Sequence, residues 1–309
     1  MKIPLLNDFE STLSDPVWQK IAALILRRHN VDFTNLRRAE QGENIVFLID
    51  AEYVLKIYTP RKNGFERERG GLELARGDTS LPIPEIFDFG EIEGFNYLIV
   101  SQLPGKMVTR DEWLALERPA KIALLAQLAF GLKELHSADP GDIHFDWHEF
   151  IKIQAASAVE RQAASGGNPE WIASLPRYIE ENLDLLPKSP DISFMHGDVH
   201  FGNLLATDHP TRPVISGLFD FADSLKGFIE YEFVAVGVLM IQGQGDLQRE
   251  FFRAYGYRDD EINDKLRRRL MLLTVLYEHS SLKRYATRLR AGAESLTLTE
   301  LEREIWNFV

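Results

Sequence analysis

The sequence predicts an α+β chain of two lobes, a small strand-rich one followed by a larger, mostly helical one. Three observations carry that prediction. Four short apolar runs with strand character occupy residues 45–50, 53–58, 85–91 and 95–102. From residue 119 onward, apolar residues recur at helical spacing instead. Between the two regimes an apolar run stops at Pro104 and Gly105, a breaker pair. A strand-rich start followed by a helical remainder is the pattern of α+β folds. The boundary is therefore set at this hinge, with residues 1–103 as the N-terminal lobe and 104–309 as the C-terminal lobe.

Each element has its own signal. Ser14, Asp15 and Pro16 read as a helix start, and Val17, Ile21, Leu24 and Ile25 then repeat on one face to about residue 30. The runs at 45–50 and 53–58 are separated by Ala51 and Glu52, a hairpin spacing without the favoured turn residues. Lys56 lies inside the second run, on the face of Val54 and Tyr58 by the period of two. A helix over 65–76 follows, closed by Gly77 and Asp78. It carries Glu66, read as surface charge, and Glu68, which shares a face with Leu72 and Ala75. Pro82 and Pro84 break the helical pattern, and Glu93 and Gly94 separate the last two strands. Beyond the hinge, Pro119 suits a first helical turn, and Ile122, Leu125, Ala129 and Leu132 keep helix spacing up to His136. Further helices are predicted over 147–163, 169–183, 231–241, 246–255, 260–288 and 297–308.

Composition narrows the function classes. With 45% hydrophobic and 27% charged residues the chain is of ordinary globular make-up. A net charge of −12 argues against a nucleic-acid footprint, which needs a basic face. It suits a cationic small molecule, although an acidic surface also serves solubility. The apolar run at 122–132 is broken by Gln127 and Gly131 and is too short to span a membrane. The N-terminus reaches Asp8 and Glu10 without an apolar leader. Absence of cysteine removes disulfides, thiolate nucleophiles and cysteine zinc sites together. The expectation is a cytoplasmic monomer or weak dimer with no membrane contact.

The chemistry concentrates between residues 192 and 223. Apolar runs at 192–195 and 214–219 each deliver a set of polar residues. Asp198, Asn203 and Asp220 are the minimum equipment for phosphoryl transfer. Asp198 can take or orient a hydroxyl proton, while Asn203 and Asp220 can hold magnesium between ATP phosphates. Asp and Asn also shape ordinary turns. Two partners elsewhere decide against that reading: a strand lysine, Lys56, and a glutamate on the following helix, Glu68, which together hold phosphates in kinase folds. Gly42, just ahead of the first hairpin, would let backbone N–H groups approach a phosphate.

Lys56, Glu68, His196, Gly197, Asp198, Asn203 and Asp220 together resemble the aminoglycoside phosphotransferase family, whose fold is protein-kinase-like. By motif order the resemblance covers roughly residues 41–233. The stretch from Gly227 to Phe233 looks closest to hygromycin-type kinases. The resemblance implies that Asp198 is the catalytic aspartate and that Asn203 and Asp220 are magnesium ligands. Lys56 would sit on the nucleotide phosphates, steadied by Glu68, with the backbone at Gly42 covering them. His196 would be a scaffold residue, and Ser101, Gln102 and Leu103 would contact adenine. ATP is the implied nucleotide, with GTP as an alternative. The implied acceptor is a small-molecule hydroxyl, on an aminoglycoside such as hygromycin or else on a choline-like alcohol, homoserine or a sugar. A cationic acceptor needs carboxylates, and the candidates are Asp223, Glu230, Glu232 and Glu278, the last on the expected long helix.

The chain departs from the family in two places. Glu43 follows Gly42 where relatives carry more glycine or serine, and Phe228, Ile229 and Glu232 stand where many relatives have Asp-Pro and a later Asp. Ordinary protein kinases read His-Arg-Asp at the catalytic loop, whereas this chain has His-Gly-Asp. Two other readings compete. His144, Asp146 and His148, with His196, Asp198 and His200, form two His-Asp-His sets that suggest a zinc or manganese hydrolase. That reading leaves Lys56, Glu68, Asn203 and Asp220 unexplained. A catalytically idle nucleotide-binding relative would have no need of the full set.

Overall fold

Five antiparallel strands and two helices make the small lobe of this computed structural model, which describes residues 9–39, 42–60, 63–141, 145–207 and 213–309. The strands are β1 (Leu36–Arg38), β2 (Ile45–Ile49), β3 (Tyr53–Ile57), β4 (Ile86–Ile92) and β5 (Phe95–Ser101), in spatial order β1-β2-β3-β5-β4. Alternation assigns the two faces to two different cores. Ile45, Phe47, Ile49, Leu55 and Ile57 pack under helix α1 (Val17–Arg28), against Trp18, Ile21 and Ile25. Asp15 starts that helix by accepting the Val17 N–H at 2.7 Å, as its sequence signal predicts. The opposite face presents Val54, Tyr58, Leu98 and Val100 to helix α2 (Gly64–Ala75) and to the core of the large lobe. Lys56 is on this second face, as the period of two predicts.

The first hairpin turns through Asp50 and Ala51, both with positive φ, a conformation that usually selects Asn and Gly and is met here by Asp and Ala. Asp50 holds the turn by accepting bonds from Thr34 and Asn35. The second turns through Glu93 and Gly94, the pair expected there.

The large lobe begins with a short strand, β6 (Lys106–Met107), and helices α3 (Arg110–Ala115) and α4 (Arg118–Ser137). Helix α4 is central, burying Leu124, Leu125, Leu128, Leu132 and Leu135. Helices α5 (Trp147–Ala164) and α6 (Pro169–Asn182) follow, then strands β7 (Ser193–Met195), β8 (Leu204–Thr207), β9 (Val214–Leu218) and β10 (Leu225–Gly227). β10 pairs with β7, while β6, β8 and β9 form a small sheet of their own. These pairings set the loops 196–203 and 219–224 side by side. Helix α7 (Glu232–Ala235) continues directly into a π-helical turn, Val236–Ile241, so the helix expected over 231–241 is irregular. Helices α8 (Gly245–Tyr255), α9 (Asp264–Leu276), α10 (Leu282–Leu289) and α11 (Leu298–Ile305) complete the chain.

The single helix expected over 260–288 is two helices, α9 and α10, with a break at residues 277–281. Side-chain partners replace the helical ladder there. The Glu278 N–H goes to the Tyr231 hydroxyl at 2.9 Å, and Ser281 caps α10 by accepting from Arg284. Among the described residues no helix is long and apolar enough to cross a membrane.

Candidate active site

A cleft of about 620 Å³ lies between the lobes, lined from the small lobe by Glu43, Asn44, Tyr58 and Arg67 and from the large lobe by Asp198, Asp220, Asp223, Glu278 and Arg284. The two lobes meet tightly at its back. A Cβ on Gly71 of α2 would lie 2.5 Å from Ser224 Oγ, so the helix can rest on the 219–224 loop only because the residue is glycine.

The catalytic-loop candidate is held from several sides. Glu232 has 0% exposure, and its carboxyl oxygens accept the His196 N–H at 2.6 Å and the Gly197 N–H at 3.0 Å. His196 accepts the Asp198 N–H on Nδ1 at 3.3 Å and therefore donates from Nε2 to the Phe219 carbonyl at 3.0 Å. Its ring also meets Phe221 edge-on, with centroids 4.6 Å apart. One imidazole thus ties the two polar loops together. Gly197 has φ +91°, and a Cβ there would lie 2.2 Å from the Asp223 carbonyl oxygen, so no other residue fits between the loops.

Asp198 is fixed on both carboxylate oxygens. Tyr277 donates to Oδ1 at 2.7 Å, and His200 Nε2 stands 3.2 Å from Oδ2. Burial opposes ionisation of Asp198, but His200, Tyr277 and the nearby His279 outweigh it and hold the carboxyl well below the usual range. Asn203 Nδ2 donates to the Asp198 carbonyl at 2.9 Å, leaving Oδ1 as its acceptor.

Across the cleft, Lys56 Nζ bridges Glu68 Oε2 at 2.5 Å and Asp220 Oδ1 at 2.7 Å. Tyr58 adds a hydroxyl donor to the same Glu68 oxygen at 2.6 Å. Burial alone would push the ammonium down, but the two carboxylates outweigh it and hold Lys56 above its ordinary value. Glu68, 3% exposed, is pushed up by burial and by Asp220 despite Lys56. Two carboxylates therefore compete for one ammonium. Asp220, whose backbone is left-handed at φ 67°, keeps 41% of its side chain exposed towards the cleft. An amide oxygen and a carboxylate short of positive charge form an oxygen-only donor set, which fits a hard divalent cation such as magnesium.

Other sequence candidates fall elsewhere. Glu230 and Glu232 do not reach the cleft. Glu230 is buried in an ion pair with Arg269 and accepts the Tyr257 hydroxyl at 2.9 Å, and Glu232 is spent on the catalytic loop. Asp223 and Glu278 do line it, with Glu278 in the α9–α10 turn rather than on a helix. Ser101, Gln102 and Leu103 lie outside the residues lining the cavity. The Ser101 and Gln102 N–H groups are already donated to the Glu85 and Glu52 carbonyls, so Leu103 is the one of the three whose N–H has no partner among the described residues. Gly42 has φ +134°, and Asn44 beside it accepts the Thr59 N–H at 3.0 Å, tying the loop to the end of β3.

Among the described residues the two His-Asp-His sets do not converge. Asp146 caps α5, His148 is exposed, and His144 lies outside the described residues. His196 is spent on tying the two polar loops together, and His200 is engaged within its own loop, its Nδ1 accepting the Gly202 N–H at 2.9 Å. Sequence reasoning missed Tyr277, His279, Arg67 and Arg284. Only Ser281, an N-cap residue three places before Arg284, signalled the break that brings Tyr277 against Asp198 and His279 into the cleft.

A model of the phosphotransferase enzyme family matches residues 34–271. The chain belongs to this family. In fold the phosphotransferase is similar to the GDP complex of aminoglycoside 2'-phosphotransferase-IIIa, with 18% identity over 94% of this chain and 98% of that one, TM-score 0.67. It is also similar to a thermostable mutant of aminoglycoside phosphotransferase APH(4)-Ia with ADP and hygromycin B, at 20% identity over 91% and 97%, TM-score 0.63. A third likeness is to the streptomycin–ATP ternary complex of APH(2")-IIa, at 18% over 89% and 97%, TM-score 0.60. At these identities the likeness is one of fold, and the phosphotransferase shares their two-lobed, protein-kinase-like architecture. Comparison with curated proteins finds no match.

Proposed function

We propose that the chain transfers the γ-phosphate of ATP, with magnesium, to a hydroxyl of a small molecule. The observation that carries this reading is that Asp198 and Asp220 line one cleft, with Asn203 bonded to Asp198 and Lys56 bonded to Asp220. ATP bound with magnesium supplies the phosphoryl group and the neutralisation of charge on its oxygens. Lys56 holds phosphate oxygens, while Asn203 Oδ1 and Asp220 hold the cation. Asp198 orients the acceptor hydroxyl and takes its proton. A carboxyl held so far below its usual range is a weak base, so Asp198 receives that proton late and acts first by orientation. The Leu103 N–H is the hinge group left to meet a purine, and GTP would use the same one. The lobe boundary is set at residue 103 on the same reasoning, supported by the end of β5 at Ser101.

An aminoglycoside acceptor such as hygromycin is supported by the ligands of the similar structures, and its ammonium groups would go to Asp223 and Glu278. A small-metabolite acceptor is favoured by a different observation. Asp223 already stands 3.5 Å from His279 Nε2, and Glu278 stands 3.8 Å from Arg67. The test is transfer from labelled ATP across aminoglycosides and small alcohols. Asp198→Ala is expected to lower turnover by about 10³-fold or more while ATP affinity stays within severalfold. Near wild-type turnover in that variant would sink the assignment.

A further inference from the structure

The acceptor half of the cleft carries positive charge that nothing in the phosphotransfer reading uses. Its carboxylates are all engaged: Asp198 by Tyr277 and His200, Asp223 by His279, Glu278 by Arg67. Arg284 also lines the cleft, and it has no carboxylate partner among the described residues. Its guanidinium is steered there by a bond to the His279 carbonyl at 3.2 Å and by the Tyr285 ring, 5.6 Å away. Arg288 sits one turn further along the same face of α10. Arg110, at the start of α3, approaches the same place. It reaches Gln242 Oε1 at 3.3 Å, and its buried Nε has no hydrogen-bond partner.

Arg288 lies close enough to both of the others to feel their charge. After burial, the charges of Arg284 and Arg110 are what lower Arg288 below its ordinary value. A chain of net charge −12 has thus placed Arg284 in the same cleft as its candidate catalytic aspartate, with Arg288 near both it and Arg110, and none of the three has a carboxylate partner among the described residues. Such a cluster repels the ammonium groups of a polycation and draws an anion. Its planar forks match the paired oxygens of a carboxylate or a phosphate.

We infer that the acceptor carries an anionic group, carboxylate or phosphate, near the hydroxyl it offers, and that Arg284, backed by Arg288 and Arg110, receives that group. The inference rests on the phosphotransferase reading above and names the class of acceptor within it.

The test measures transfer from labelled ATP to matched acceptors. Glycerate and glycerol phosphate are compared with glycerol, homoserine with homoserine amide, and all of these with kanamycin and hygromycin B. The expected result is a preference of about tenfold or more in kcat/KM for the member that bears the carboxylate or phosphate over its partner that lacks it, the size of one lost hydrogen bond to a charged group. Arg284→Gln erases that preference, and Arg284→Lys keeps part of it. Whether glycerate or glycerol phosphate gains more separates the carboxylate from the phosphate source. Preference for the aminoglycosides or for the members without the anionic group overturns the inference, as does an anionic preference indifferent to both Arg284→Gln and Arg288→Gln. ATP hydrolysis that depends on Asp198, with transfer to no anionic member, overturns it and leaves the phosphotransferase reading standing. No Asp198-dependent use of ATP at all overturns both.

Discussion

The two halves of the cleft have opposite charge problems. On the nucleotide side one ammonium, Lys56, answers two carboxylates, Glu68 and Asp220, with Glu43 on the rim. On the acceptor side Arg67, Arg284 and His279 stand among three carboxylates that all have partners, with Arg288 and Arg110 behind. A triphosphate would worsen the first imbalance, so that side makes sense only with added cations. The second is relieved by an anion. The difference teaches that the chain's overall acidity says little about what either half binds: the local balance decides.

The nucleotide side is where the comparison breaks most easily. Asp220→Ala should remove a cation ligand and a partner of Lys56 together, lowering turnover by about 10³-fold, the range of one lost electrostatic contact to the reacting phosphate. Titrating magnesium against initial rate checks it, because the variant should also need far more metal. A loss of turnover with unchanged metal dependence would remove Asp220 from the cation site.

A smaller effect separates the floor of the cleft from its walls. Glu232 touches no part of the cavity, yet two backbone N–H groups of the candidate catalytic loop end on it. Glu232→Ala leaves both buried and unpaired, a cost of about 2–5 kcal/mol in unfolding free energy. Chemical denaturation of the variant measures this directly. If stability is unchanged while acceptor KM rises, Glu232 belongs to the acceptor site after all.

The nucleotide side was the more legible half in sequence. Lys56 announced itself as a charge inside an apolar strand, and the period of two gave its face correctly. Asp198, Asn203 and Asp220 sit close in sequence, the first two in the polar set after one apolar run and the third just beyond another. The acceptor side is assembled from distant segments. Arg110 precedes Arg284 by most of the large lobe, and Glu230 finds Arg269 only through the packing of α9. No local signal distinguishes a glutamate that will be buried against such a partner from one that lines a cleft. The break after α9 was hidden for the same reason. Its apolar residues keep helical spacing, while the groups that end the helix, Tyr231 and the Asp198 loop, come from elsewhere in the chain.

The smallest expected effect concerns the His279–Asp223 ion pair on the acceptor side. His279 is raised above its ordinary value of 6.5, first by its bond to Asp223, with burial opposing. Burial works against ionisation of Asp223, but His279 outweighs it and holds the carboxyl below 3.8. The raised imidazole contributes stability that is fully present below its unfolded pKa and fades as pH climbs through the folded one. The depressed carboxyl contributes stability present above its unfolded pKa and lost as pH falls through the folded one. The pair therefore supports a plateau between those limits. Its side chains are about a third exposed, so screening keeps the contribution to about 0.5 kcal/mol. Asp198 and Glu278 face the same imidazole and also favour its charged form. His279→Gln should accordingly flatten the alkaline limb of a melting-temperature profile. An alkaline limb that survives in His279→Gln would assign the titration to another group and leave Asp223 free to meet an acceptor ammonium, which is the arrangement an aminoglycoside would need.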